Sequence, residues 1–218
     1  MRVLGFSDYA FQGRRLAQAL SVPFVLVEHH LFPDGESLIR LPTDLPPQVI
    51  LCRALDNPNN KLIELLLTAE TARRQGVKRL TLVAPYLCYM RQDTAFRPGE
   101  AVSQRIVGRF LADLFDAVVT VDPHLHRVHT LAEAVPARRA DALSAAPAMG
   151  RFLKERSARP LLVGPVHHVA SREGTDASAF GDGYPLLLSA DPRTPPLARW
   201  TNSHVLFAVV PKLCVHLW

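Results

Sequence analysis

The chain has 218 residues, 48% of them apolar and 21% charged, so it can bury the core of one large α/β domain or two smaller ones. Its net charge of +5 is scattered without a long basic run, which argues against nucleic-acid binding and is compatible with a site for phosphorylated small molecules. No apolar stretch is long enough to span a membrane, and Cys52, Cys88 and Cys214 form no metal-type or redox pair, so we expect a cytoplasmic protein without a membrane partner.

The first quarter of the chain predicts strands and one helix. Val3–Phe6 is predicted as a strand and Tyr9–Leu20 as an amphipathic helix. Phe24–Glu28 and Leu38–Leu41 are predicted as strands separated by a Pro-Asp-Gly turn, and Gln48–Cys52 is a further strand.

A long helix is predicted after Asn57-Pro58-Asn59-Asn60, since asparagine is a good N-cap and Gly76 can end the helix. Its apolar residues recur at i, i+3, i+4 and i+7, and they are Leu62, Leu65, Leu66 and Ala69. Leu80–Ala84 then predicts a buried strand.

The alternation continues toward the C-terminus. Ser103 can cap a helix with apolar residues on one face, which are Ile106, Val107, Phe110, Leu111 and Leu114. Ala117–Val121 is a nearly continuous apolar strand, Ala145–Arg156 is predicted as a helix and Pro160–Pro165 as one more strand. This βαβα order predicts an α/β fold with a mainly parallel sheet flanked by helices, with a domain boundary near 144–147.

Ligands of open parallel sheets bind at the carboxyl ends of the strands, which directs attention to residues 85–93 and 122–126. In the first segment, Arg91 can bind phosphate oxygens bidentately and Gln92 can read a base or ribose edge, with Asp93 following. A solvated loop with a local Arg–Asp pair is the other interpretation. In the second segment, Asp122 and His124 can hold a divalent cation or its waters, or they can merely satisfy backbone groups.

A third segment, Phe32-Pro33-Asp34-Gly35-Glu36, lies between two predicted strands and is by itself an ordinary hairpin turn. The order of the segments is more informative than any one of them. Phe-x-Asp-Gly-Glu, Asp-Asn before a Leu-rich helix, Pro-Tyr-x-x-Tyr-x-Arg-Gln-Asp and Asp-Pro-His follow one another as in the ribose-phosphate diphosphokinases (phosphoribosyl-diphosphate synthetases), which the chain resembles through about residue 165.

The resemblance implies a phosphoribosyltransferase-like fold and Mg²⁺-dependent transfer of diphosphate from ATP to ribose 5-phosphate, giving phosphoribosyl diphosphate and AMP. It implies that Phe32 stacks on adenine and that Asp34 and Glu36 accept hydrogen bonds from the nucleotide. It further implies that Arg91, Gln92 and Asp93 contribute to ATP binding and that His124, with Asp122 beside it, places Mg²⁺. The Phe32 segment would reach the site of a neighbouring subunit, so a homo-oligomer is expected.

The resemblance ends after Pro165, where Val166 replaces the metal-binding Asp of the family. The basic catalytic loop and the turn that cradles the ribose phosphate are not found, since Gly181–Gly183, Asp191–Pro196 and Lys212 have unsuitable contexts. We therefore expect an N-terminal ATP-binding lobe (1–146), the start of a truncated second lobe (147–165) and a divergent tail (166–218). A disrupted reading frame near codon 166 is our hypothesis for the tail, and it would leave Leu161–Val163 with an exposed edge.

Two other functions remain open at this stage. A non-catalytic protein could assemble with a full-length paralogue through the N-terminal lobe, because Phe32, Asp34 and Glu36 are retained. A phosphoribosyltransferase shares the fold but needs the same phosphate turn, so it explains less. For the chain itself we expect weak ATP binding and little turnover of ribose 5-phosphate.

Overall fold

The computed structural model describes residues 1–154 and three further strands at 161–163, 206–210 and 213–217. The strands are β1 (Arg2–Gly5), β2 (Phe24–Leu26), β3 (Glu28–Leu31), β4 (Ser37–Arg40), β5 (Gln48–Cys52), β6 (Arg79–Ala84), β7 (Ala117–Val121), β8 (Arg139–Leu143), β9 (Leu161–Val163), β10 (Leu206–Val210) and β11 (Leu213–Leu217). The helices are α1 (Ala10–Ala19), preceded by a 3₁₀ turn at Ser7–Tyr9, α2 (Pro58–Arg74), α3 (Ser103–Leu114), α4 (Leu131–Ala134) and α5 (Ala146–Lys154). None of these helices has the length and apolar character that crossing a membrane requires.

A six-stranded sheet in the order β2-β1-β5-β6-β7-β8 organises the first 143 residues, and every neighbouring pair in it is parallel. The strand register aligns Leu4, Leu51, Leu82 and Val118 in one row across the sheet. All four side chains are completely buried, as expected when helices cover the sheet. The predicted α/β class with a mainly parallel sheet is confirmed.

The two faces of the sheet bury different helices because successive side chains of a strand point to opposite sides. On one face Val3 and Cys52 pack with Ala17 of α1. On the other face the row through Leu4 packs with Leu65 of α2 and with α3. Because every neighbouring pair of strands is parallel, the carboxyl ends of all six strands lie at the same edge of the sheet.

The structure corrects the predicted strand Phe24–Glu28. Only Phe24–Leu26 joins the main sheet, and the Val27 amide donates to the Gly5 carbonyl at 2.9 Å before the chain leaves it. Glu28 instead begins β3, which pairs with β4 in a separate antiparallel hairpin. Residues 28–40 are called the hairpin below, and residues 32–36 are its tip.

The helix ends also differ from the prediction. Asn57 occupies the N-cap of α2, but its backbone is left-handed and its side chain makes no capping hydrogen bond. Ser103 lies inside α3, and Val102 takes the N-cap position instead. Ile106 is 60% exposed because Gln104, Gly108 and Leu111 occupy the inward face of α3.

Two compact units meet in sequence between Leu143 and Ser144. In the second unit, β10 pairs antiparallel with both β9 and β11. The prediction that Leu161–Val163 has an exposed edge is therefore wrong for the side on which β10 pairs with this strand. Val166, Gly181–Gly183, Asp191–Pro196 and Lys212 lie outside the described residues.

Candidate functional site

Loops that follow β5, β6 and β7 lie side by side at the carboxyl edge of the main sheet. Backbone hydrogen bonds join them: the Arg53 amide donates to the Val83 carbonyl at 3.0 Å and the Leu55 amide to the Tyr86 carbonyl at 3.0 Å. The Val121 amide donates to the Pro85 carbonyl at 3.3 Å. Residues 85–93 form the β6 loop and residues 122–130 the β7 loop.

Each of these three loops contains a non-glycine residue with a left-handed backbone. The φ angles are 46° at Asn57, 58° at Tyr89 and 42° at Asp122. Such conformations are costly for residues with a Cβ and persist where the surrounding structure enforces them. Among the described residues Ser21, between α1 and β2, is the fourth of this kind, and the other three follow strands at the carboxyl edge, which makes that edge a candidate site.

Asp93 joins the β6 loop to the β7 loop. Its side chain is 5% exposed, and one carboxylate oxygen accepts a hydrogen bond from Arg127 Nε at 3.2 Å. The other oxygen, Oδ2, is buried without a hydrogen-bond partner and lies 3.9 Å from His126 Nδ1. The structure thus brings Asp93 of the β6 loop into contact with His126 and Arg127 of the β7 loop, which also carries Asp122 and His124.

Arg91 and Gln92 differ in how the fold uses them. Arg91 is exposed, and its side chain makes no hydrogen bond or ion pair with the described part of the chain. The Gln92 amide group donates to the Thr94 carbonyl at 3.0 Å, and the Gln92 carbonyl accepts from the Gln104 amide at 3.1 Å. Arg91 is therefore a cation available to a ligand, whereas Gln92 also shapes the loop.

The β7 loop carries the proposed metal-placing residues. The Asp122 amide donates to the Leu143 carbonyl at 2.8 Å, and the rings of His124 and His126 stack with centroids 6.1 Å apart. Among the described residues, no three metal-ligating side chains form a cluster. Mg²⁺ is commonly held by one or two protein groups together with substrate phosphates and water, so a carboxylate and an imidazole such as those of Asp122 and His124 are compatible with such an ion without a third protein ligand.

The hydrogen bonds of the hairpin tip join residues of the tip to one another. The Phe32 amide donates to the Glu36 carbonyl at 2.8 Å, and Asp34 Oδ1 accepts from the Glu36 amide at 3.1 Å. Phe32 is 39% exposed, and its ring packs edge-to-face with the ring of His30, with centroids 4.8 Å apart. Within the described residues these contacts do not reach the β6 or β7 loop, so the structure does not bring all three predicted segments together in one chain.

Sequence reasoning missed a buried charged cluster at the same edge. Arg53, immediately after β5, donates to Asp8 and to Glu64 of α2, and its guanidinium lies 3.8 Å from the centre of the Phe6 ring. Lys61 lies 3.1 Å from the same Asp8 carboxylate. The partners are far apart in sequence, so no local pattern could have indicated the cluster.

The two buried cysteines near the site are not nucleophiles. Burial raises the pKa of Cys52 and of Cys88 to about 11, so both thiols remain protonated at neutral pH. The arginines, carboxylates and histidines are therefore the better candidates for chemistry at this edge.

Polar loops gathered at the carboxyl edge of a parallel sheet are typical of the class of α/β proteins that bind ligands beyond the strand ends. Comparison with known proteins specifies the family. Residues 1–114 match the N-terminal domain of ribose phosphate pyrophosphokinase. The chain therefore belongs to the ribose-phosphate pyrophosphokinase family.

Individual relatives agree with this assignment. A ribose-phosphate pyrophosphokinase of Methanopyrus kandleri is 39% identical over 158 residues, which are 72% of this chain and 53% of the relative. One from Saccharolobus solfataricus is 42% identical over 127 residues, or 57% of this chain and 44% of the relative. The chain thus spans about half the length of the curated relatives it matches.

A solved structure has the same fold. Phosphoribosylpyrophosphate synthetase from Mycobacterium smegmatis superposes with a TM-score of 0.58 at 23% identity, covering 71% of this chain and 52% of that one. This likeness supports the phosphoribosyltransferase-like α/β fold.

Proposed function

We propose that this chain carries the ATP-binding part of a ribose-phosphate diphosphokinase, an enzyme that transfers the diphosphoryl group of ATP to ribose 5-phosphate. The observation that carries the proposal is the contact of Asp93 with Arg127. This contact holds the exposed Arg91 next to the loop of Asp122 and His124. Phosphoryl transfer depends mainly on such positioning and on neutralising phosphate charge.

In this proposal each residue of the edge has a separate task. Arg91 binds phosphate oxygens of ATP, since a guanidinium presents paired donors that match them. Gln92 contacts the nucleotide from the same loop. Asp93 contributes to ATP binding indirectly, by holding the two loops together through Arg127, because its buried carboxylate would repel phosphate. Asp122 and His124 would place Mg²⁺, which would supply positive charge to the phosphates.

The hairpin tip supplies the contacts to the base. Phe32 offers a partly exposed ring on which adenine can stack, and Glu36 and the second oxygen of Asp34 can accept hydrogen bonds from the nucleotide. The polar contacts of the tip stay within the hairpin, which supports its delivery to the site of an adjoining copy or of a full-length paralogue. A homo-oligomer is accordingly part of the proposal.

Calorimetric titration of the full chain with Mg·ATP tests this function. We expect Arg91→Ala to weaken binding about tenfold or more, because it removes charge-assisted hydrogen bonds. Arg74→Ala is the matched control, since Arg74 is an exposed arginine in the last turn of α2, away from the carboxyl edge. Absence of ATP binding by the unaltered chain, or equal losses in the two variants, would refute the proposal.

A further inference from the structure

Glu64 of α2 is the most completely buried carboxylate at the carboxyl edge, with 3% of its side chain exposed. One of its oxygens accepts a hydrogen bond from Ser37 Oγ at 3.0 Å and lies 3.1 Å from His29 Nε2. Its other oxygen accepts from Arg53. Both oxygens are therefore engaged, one with the hairpin and one with the end of β5.

The contacts of Glu64 with the hairpin involve both of its strands. His29 belongs to β3 and Ser37 to β4, and their side chains approach each other at 3.3 Å. The hairpin also contains an ion pair between Arg40 and Glu28, but both side chains are more than two-thirds exposed and such pairs contribute little. A two-stranded hairpin is barely stable alone, so the buried attachment to α2 matters for its order.

The arginine behind Glu64 fixes the direction of the carboxylate. A buried carboxylate is tolerated only when it is paired and hydrogen-bonded, and Arg53 provides the charge from a side chain that is 6% exposed. The guanidinium is itself held between Asp8 and the Phe6 ring. The Glu64 carboxylate is therefore held in one orientation towards the hairpin. Its contacts with His29 and Ser37 in turn fix the orientation of the base of the hairpin.

We infer that Glu64 is a positioning residue for the nucleotide: through His29 and Ser37 it fixes the hairpin so that the tip with Phe32, Asp34 and Glu36 is presented in a single geometry. That the ligand positioned by the hairpin is a nucleotide rests on the proposed function. The attachment of the hairpin to α2 can be tested without it. Glu64 itself touches no part of ATP in this scheme.

Amide hydrogen exchange of the full chain without nucleotide tests the attachment. In Glu64→Gln, we expect the amides of the hairpin, including those of Phe32 and Gly35, to exchange about tenfold faster, because the charge-assisted contacts to both strands are weakened. The amides of the main sheet should keep their protection. Glu70→Gln is the control, since Glu70 is an exposed glutamate of the same helix.

Ser37→Ala tests the same attachment in case Glu64→Gln does not fold, because Ser37→Ala leaves the buried Glu64–Arg53 pair intact. We expect faster exchange in the hairpin by about threefold and a comparable weakening of Mg·ATP binding, with an unchanged unfolding midpoint of the main sheet. Exchange in the hairpin that stays at the level of the unaltered chain in both variants would overturn the inference. If the unaltered chain binds no ATP while the exchange results hold, the proposed function fails and Glu64 only anchors the hairpin.

Discussion

Gly108 shows how a single atom limits the packing behind the β7 loop. A Cβ at this position of α3 would lie 1.7 Å from the carbonyl oxygen of Ala134 and 2.8 Å from its carbonyl carbon. Both contacts are with backbone, so neither can be relieved by a side-chain rotation. The helix α3 can approach α4, which follows the β7 loop, only because residue 108 is glycine.

Gly108→Ala is therefore expected to destabilise the first unit by about 3 kcal/mol or more, although alanine is the better helix former. Urea unfolding followed by circular dichroism measures the change. Gly150→Ala is the matched control, since that helical glycine has open space around its Cβ position. Equal stability of Gly108→Ala and the unaltered chain would show that α3 and α4 can separate at no cost.

At the scale of elements, Asp116 joins three of them near the amino edge of the sheet. Its Oδ2 accepts from the Leu80 amide at the start of β6 and from the Arg73 guanidinium at the end of α2, both at 2.8 Å. Burial alone would raise the pKa of Asp116, but these hydrogen bonds and the charge of Arg73 outweigh it and hold the pKa below its usual value of 3.8. The ionised carboxylate therefore stabilises the fold at neutral pH.

This lowered pKa gives a prediction for pH dependence. Because the pKa of Asp116 is depressed in the folded state, its contribution is present above pH 3.8 and is lost as the pH falls through the folded-state pKa. Asp116→Asn should cost about 1–2 kcal/mol at pH 7, and this cost should shrink as the pH falls progressively below 3.8. Urea unfolding over a series of pH values from 7 downward measures this difference. Asp113→Asn, at an exposed position nearby, should show neither effect.

Strands with continuous apolar residues were predictable, and strands without them were not. Ala117–Val121 was found from its sequence alone, whereas β8 escaped because Arg139 and Asp141 form an ion pair on this edge strand and break the apolar pattern. The break after Leu26 was also missed, since the departure of the chain from the sheet is set by the bond of Val27 to Gly5. Long-range pairing, rather than local preference, decided both cases.

The same limit applied to the candidate site. Residues 91–93 and 122–124 could be proposed from the sequence because they follow predicted strands of a parallel sheet, where topology alone brings loops together. Glu64 was not predicted as a site residue, because the sequence of α2 was interpreted only through the spacing of its apolar residues. Its partner Arg53 is 11 residues away and its partner Ser37 is 27 residues away. A buried ion pair leaves no periodic signal in a sequence.

At the scale of the whole molecule, the proposed function requires a site that is divided between copies of the chain. The β6 and β7 loops contact each other, while the contacts of the hairpin tip remain internal. Phe32→Ala should remove the stacking surface and Arg91→Ala the phosphate contact, each from every site of a uniform assembly. When the two purified variants are mixed and allowed to exchange subunits, some sites receive an intact tip and an intact Arg91.

We therefore expect the mixture to regain part of the Mg·ATP binding of the unaltered chain, which neither variant retains alone, as measured by calorimetric titration. A mixture of Phe32→Ala with Glu36→Ala is the control, because both changes affect the same tip and no exchange can restore it. Binding by the Phe32→Ala and Arg91→Ala mixture that equals the average of its components would place both contacts in a single subunit.

The self-contained tip of the hairpin has a practical consequence for protein engineering. Its backbone and side-chain hydrogen bonds close within residues 32–36, while the orientation of its stem is set farther down by Glu64. The five residues of the tip can therefore be replaced without changing the orientation of the stem that carries them. Under the proposed function, libraries confined to the tip should alter the choice between purine bases while the main sheet remains unchanged.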